Sequence, residues 1–92
     1  MEWKLFADLA EIADDRVVAV DVAPGETVGD ALDALLRTHP DLRDRVLDDG
    51  DVADHINVLR NGRSVHHGDG LETVLAEGDE LALFPPVSGG HR

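Results

Sequence analysis

Apolar and polar positions change period along this chain in a way that predicts five strands and one long helix. Trp3-Lys4-Leu5-Phe6 opens as a strand, and a second follows over residues 16–22, with Val18, Val20 and Val22 alternating to one face. Residues 7–15 are too many for a tight hairpin and predict a short helical turn. Pro24-Gly25 breaks the chain. Thr27 then reads as a helix N-cap, with Asp30 in the capping-box position as a shorter acid than usual. Val28, Leu32, Leu35 and Leu36 form one apolar stripe, and Pro40 stops the helix near His39. Residues 41–54 are acidic, with Leu42, Val46 and Leu47 as anchors, and predict a turn of helix and a loop. Ile56-Asn57-Val58-Leu59-Arg60 is the clearest interior strand. Asn61-Gly62 signals a type I′ hairpin, returning through Arg63-Ser64-Val65. After a turn around residues 70–75, Gly78-Asp79 leads into a last strand over residues 80–84.

A single amphipathic helix needs a sheet face to cover. Trp3, Leu5, Val18, Val20, Val22, Ile56, Val58, Leu81 and Leu83 supply that face, meeting Val28, Leu32 and Leu35. The fold class is therefore α+β, a mixed sheet covered by one main helix. Lys4, Phe6, Val17, Asn57, Leu59, Ala82 and Phe84 fall on the opposite, open face.

Composition narrows the class. The chain has 92 residues, enough for one small domain. Without cysteine it has no disulfide, thiolate metal site or side-chain sulfur nucleophile. No apolar run approaches the roughly 20 residues of a membrane span, and the expected location is the cytoplasm, as a monomer. Twenty acidic residues against eight basic ones give a net charge of −12, which repels nucleic acid. Lys4 is the sole lysine. An acid-rich, lysine-poor composition resembles that of proteins from extreme halophiles.

The strongest chemical signal lies at the end. The strand Glu80-Leu81-Ala82-Leu83-Phe84 stops at Pro85-Pro86, and Val87-Ser88-Gly89-Gly90-His91-Arg92 follows. Paired glycines contribute nothing to a core and suit a backbone that must enter a narrow site. The expected organisation is a domain over residues 1–84 and a flexible tail over residues 85–92.

The run Gly78-Asp79-Glu80-Leu81-Ala82-Leu83-Phe84-Pro85-Pro86-Val87-Ser88-Gly89-Gly90 resembles the C-terminal signature of the MoaD/ThiS family. That family includes the small subunit of molybdopterin synthase and the small archaeal modifier proteins. Ile56-Asn57-Val58-Leu59-Arg60-Asn61-Gly62 is similar to its central strand and hairpin, and Trp3-Lys4-Leu5-Phe6-Ala7 to its first strand. The resemblance implies a ubiquitin-like β-grasp fold and no catalytic residue of the chain's own. It implies that an E1-like activating enzyme uses ATP to adenylate Gly90, with Gly89 letting the backbone lie flat. The acyl group then passes to a target lysine as an isopeptide, or becomes a thiocarboxylate for sulfur transfer. Phe6, Leu59 and Phe84 would form the docking patch for the activating enzyme or for the molybdopterin synthase large subunit. Members of the family normally end at the second glycine, whereas His91-Arg92 follow here. The resemblance therefore implies a precursor cut between Gly90 and His91 by a trimming or deconjugating protease of the metalloprotease type. Lys4 is a candidate isopeptide acceptor.

Three functions remain in view: protein modifier, sulfur carrier in molybdenum-cofactor synthesis or tRNA thiolation, and non-covalent interaction domain. His39, His55, His66, His67 and His91 lack the spacing of a metal site and read as solvated. Asp48-Asp49-Gly50-Asp51 lacks the closing glutamate of a calcium loop and reads as an acidic turn. Ser88 has no His-Asp partners and is no nucleophile. At molar salt the Debye length falls to about 3 Å and surface self-repulsion is screened. The fold should accordingly need salt. Chemical denaturation in dilute buffer and in molar KCl checks this, and equal stability in both contradicts it.

Overall fold

The computed structural model describes residues 1–53 and 55–85. Gly89, Gly90 and His91 lie outside the described residues, as do Ser88 and the rest of the tail beyond Pro85; for His67 only the backbone is described. The strands are β1 (Glu2–Leu5), β2 (Val17–Ala19), β3 (Leu47–Asp48), β4 (Asp51–Val52), β5 (Asn57–Arg60), β6 (Arg63–Ser64) and β7 (Leu81–Phe84). The helices are α1 (Asp8–Ala13), α2 (Val28–Thr38) and α3 (Arg43–Val46), with short 3₁₀ turns at Pro40–Leu42, Val65–His67 and Gly70–Glu72. The main sheet runs β2-β1-β7-β5-β6. Its central pair, β1 and β7, is parallel; the other pairs are antiparallel. This is the β-grasp arrangement, with α2 across one face.

The capping box at Thr27 is complete: the Asp30 amide donates to Thr27 Oγ1 at 3.2 Å, and the Thr27 amide donates to Asp30 Oδ2 at 3.0 Å. Val28, Ala31, Leu32, Leu35 and Leu36 of α2 are buried in one core with Trp3, Leu5, Val18, Val58, Leu81 and Leu83 of the sheet and with Val20 and Ile56, which flank β2 and β5. Trp3 is wholly buried, and its indole N–H donates to the Ala31 carbonyl at 2.9 Å. A buried indole needs such a partner, and a helix carbonyl has a second lone pair to offer.

The structure corrects the sequence reading in three places. Residues 47–52 form a small separate hairpin, β3–β4, where a loop is expected. Its tip is Asp49-Gly50, both at positive φ (58° and 87°), the conformation that an Asp-Gly hairpin requires. The second strand ends at Ala19 instead of reaching Val22. Its partner β1 begins at Glu2, and the ladder closes where the Val20 amide meets the Met1 carbonyl. Val22 is consequently only half-buried. Leu9 and Leu75, absent from the predicted core, are fully buried. Leu9 sits in the six-residue α1 and Leu75 outside any strand or helix, so neither belongs to a run long enough to show a period.

The far end of the sheet is clamped by Asp79. Its carboxylate accepts from the Ala76 amide at 2.7 Å, Arg60 Nε at 2.7 Å and Asn61 Nδ2 at 2.9 Å, and its side chain is only 7% exposed. The Ala76 amide first, and then Arg60, pull the Asp79 pKa from 3.8 down to about 2. Because the folded state depresses this pKa, the stabilisation is complete above pH 3.8 and is lost as pH falls through about 2. Asp79→Asn should therefore cost about 1–3 kcal/mol near pH 7. The deficit should shrink on acidification below pH 3.8. Urea melts from neutral pH down to the acid limit, in molar salt, measure it, and a deficit that does not change with pH rules the clamp out.

Candidate functional site

The candidate site is the root of the tail and the sheet face around it. In the parallel β1–β7 register, Trp3 faces Leu81, Lys4 faces Ala82 and Leu5 faces Leu83. One rank of side chains thus crosses the open face: Val17, Lys4, Ala82, Leu59 and Ser64. The next position along each central strand brings Phe6 beside Phe84. Their rings stack with centroids 4.0 Å apart and planes 10° from parallel. Phe6 remains 38% exposed, so it is not packed away beneath α1. Phe84 and Leu59 are half-buried, and Leu59 lies one strand over, opposite Ala82. The structure joins two of the three predicted docking residues in contact and puts the third on the same face.

The chain reaches this geometry through a strained turn. The Leu9 amide donates to the Phe6 carbonyl at 3.2 Å, closing a turn whose first central residue is Ala7. Ala7 adopts φ 54°, ψ −131°, a region that a Cβ disfavours and glycine occupies freely. No sequence signal marked this position, because alanine carries none.

Lys4 stands on the same face, half-exposed, with Nζ 2.7 Å from Glu80 Oε1. The hydrogen bond to Glu80, and then its charge, raise the lysine pKa; the same contacts lower that of Glu80. At neutral pH the amine is held protonated, the non-nucleophilic form. His55 and His66 are exposed, and no group of three His, Cys, Asp or Glu among the described residues is placed to hold a metal ion. Among those residues no helix is long and apolar enough to cross a membrane.

Against known proteins, the ThiS family model matches residues 3–90, nearly the whole chain. The chain belongs to the ThiS family. Small archaeal modifier protein 1 of Haloferax volcanii is 64% identical over 91 residues, covering 98% of this chain and all of that relative. The crystal structure of SAMP1 from the same organism superposes with a TM-score of 0.87 at 63% identity, covering 98% of both chains. The sulfur carrier protein CysO of Mycobacterium bovis is 30% identical over 71 residues, covering 74% of this chain and 76% of the relative. The ThiS match stops at Gly90, so His91-Arg92 lie beyond it.

Replacing Ala7 by glycine should relieve the turn and raise stability by about 1 kcal/mol, after the entropy that glycine adds to the unfolded chain. A urea midpoint that falls instead would contradict the strain at Ala7.

Proposed function

We propose that this chain is a ubiquitin-like protein modifier, trimmed after Gly90, adenylated there by an E1-like activating enzyme and joined to target lysines. One observation supports this above the others. The strand that leads to the Gly-Gly motif lies at the centre of the sheet, and its last residue, Phe84, forms half of an exposed aromatic stack. Residues 1–84 act as the handle and residues 85–92 as the arm. The six residues from Pro85 to Gly90 span at most about 20 Å when extended.

The chemistry asks little of the chain. In adenylation a Gly90 carboxylate oxygen attacks the α-phosphorus of ATP and pyrophosphate leaves. A lysine amine then attacks the acyl carbon, AMP leaves, and the amine proton is lost to solvent. Glycine leaves that carbon unobstructed. An amide to His91 cannot enter the first step as a carboxylate does, so cleavage by a protease of the metalloprotease type controls activation. A modifier of this kind is a substrate of other enzymes and not a catalyst. Its place is the cytoplasm, with the activating enzyme, the protease and the target proteins.

Phe6, Phe84 and Leu59 form the docking patch for the activating enzyme. Lys4 is the sole lysine available for self-conjugation, and its amine must first leave Glu80. A second reading, sulfur carriage through a Gly90 thiocarboxylate, is favoured by the likeness to the sulfur carrier CysO. In that role the same patch would meet the molybdopterin synthase large subunit.

The test expresses chains ending at Gly90, ending at Arg92, and lacking Gly90, in native cells deleted for the gene. Lysine conjugates that need Gly90, with molybdenum-cofactor activity intact in the deletion strain, are expected. Loss of cofactor activity with no conjugates selects the sulfur carrier, and no effect of removing Gly90 overturns both readings. Phe84→Ser in the chain ending at Gly90 should reduce conjugates at least about tenfold, the loss that 1.4 kcal/mol of docking represents. An unchanged conjugate yield from the folded variant removes the patch from the account.

A further inference from the structure

The chain contains two side-chain amides, Asn57 and Asn61, and no glutamine. Asn57 precedes Val58, whose branched side chain crowds the backbone nitrogen between them. Asn61 precedes Gly62, which has no side chain and open space around it. Asn61-Gly62 is the two-residue loop between the directly opposed Arg60 and Arg63, with φ 53° and 81°. Both loop residues are exposed, so burial does not keep water from the amide. Hydrogen bonds to the start of the last strand hold it instead. Asn61 Nδ2 donates to Asp79 Oδ1 at 2.9 Å, and Asn61 Oδ1 accepts from the Glu80 amide at 2.9 Å. The Asn61 backbone amide donates to the Glu80 carbonyl at 2.8 Å. Asp79 is itself fixed by the Ala76 amide and Arg60.

We propose that Asn61 is a one-way modification site: the Asp79 clamp holds its side-chain amide unreactive, and once the clamp opens the amide is lost to the Gly62 nitrogen, leaving a carboxylate that keeps the clamp from closing again. In the opened loop the Gly62 nitrogen loses its proton and bonds to Asn61 Cγ. The Cγ–Nδ2 bond breaks and ammonia leaves, closing a succinimide. Water then adds to either imide carbonyl, giving aspartate or its β-linked isomer. The attack needs Cγ turned towards Gly62, whereas the closed clamp commits both polar atoms of the side chain to residues 79 and 80. Chemistry this slow reads the equilibrium population of the opened loop.

Both products fit the clamp badly. Aspartate at this position removes the donor to Asp79 and sets a second carboxylate at hydrogen-bond distance from it. The Asp79 side chain is only 7% exposed, so salt screens that repulsion incompletely. The β-linked isomer adds a methylene to a two-residue loop whose length sets the β5–β6 register. The modification therefore records past openings of this end of the sheet.

The test incubates the full chain in mildly alkaline buffer with molar KCl, and separately in denaturing guanidinium chloride. Replacement of NH₂ by OH at Asn61 is followed by peptide mass mapping, with Asn57 as the internal reference. Asn61 should react at least about tenfold more slowly in the folded chain, the factor that 1.4 kcal/mol represents. Asp79→Ala should recover most of that factor while the chain remains folded by circular dichroism. Thr27→Ala, which weakens the α2 cap and leaves the clamp intact, should not. Asn61→Asp, carrying the product's carboxylate, should unfold at lower urea than the unaltered chain. Equal rates in folded and denatured chains overturn the inference, and that comparison decides even where a variant fails to fold. Equal acceleration by Asp79→Ala and Thr27→Ala, or an unchanged urea midpoint for Asn61→Asp, overturns it as well.

Discussion

The parallel pairing of β1 with β7 is the constraint on which the rest of the structure depends. It places the C-terminal strand at the centre of the sheet, with β1 on one side and β5 on the other. A strand in that position is fixed by two ladders, so its last residue, Phe84, has a defined place. The same pairing sets Trp3 against Leu81, and Trp3 in turn anchors α2 through its bond to the Ala31 carbonyl. The helix, the sheet and the tail root are thereby referred to one strand pair. On the other face, the pairing brings Phe6 beside Phe84.

Electrostatics shape the molecule at a second level. Of its cations, Lys4, Arg37, Arg45 and Arg60 pair with Glu80, Asp33, Asp8 and Asp79. The first three pairs are substantially exposed and contribute little in salt. Asp79 differs because its carboxylate is enclosed and accepts three hydrogen bonds. It joins the β5–β6 hairpin to the turn before β7, at the end of the sheet away from the tail. The clamp thus holds the end of β7 opposite Phe84.

Most of the fold was legible in the sequence because its elements carry strong local signals. Thr27 and Asp30 marked the helix start, Pro40 its end, and Asn61-Gly62 the hairpin; alternation in β1, β5 and β7 separated the buried face from the open one. Sheet order was not legible, since strand pairing is set by long-range packing that leaves no local pattern. The β3–β4 hairpin was missed because its strands are two residues each, too short to alternate. Leu9 was missed because α1 has only six residues, and Leu75 because it lies outside any strand or helix. At the site, the shared face of Phe6, Leu59 and Phe84 followed from strand parity, whereas the stack itself needed the parallel register. The strain at Ala7 and the pairing of Lys4 with Glu80 depend on backbone angles and neighbours that only the folded chain supplies.

The central claim, which follows from the proposed function, is that a free Gly90 carboxylate is the reactive end of this molecule. ATP–pyrophosphate exchange by the E1-like activating enzyme tests it most directly, with chains 1–90 and 1–92 as substrates. Exchange should be supported by the chain ending at Gly90 and be absent with the chain ending at Arg92. Comparable exchange with both chains would contradict the account.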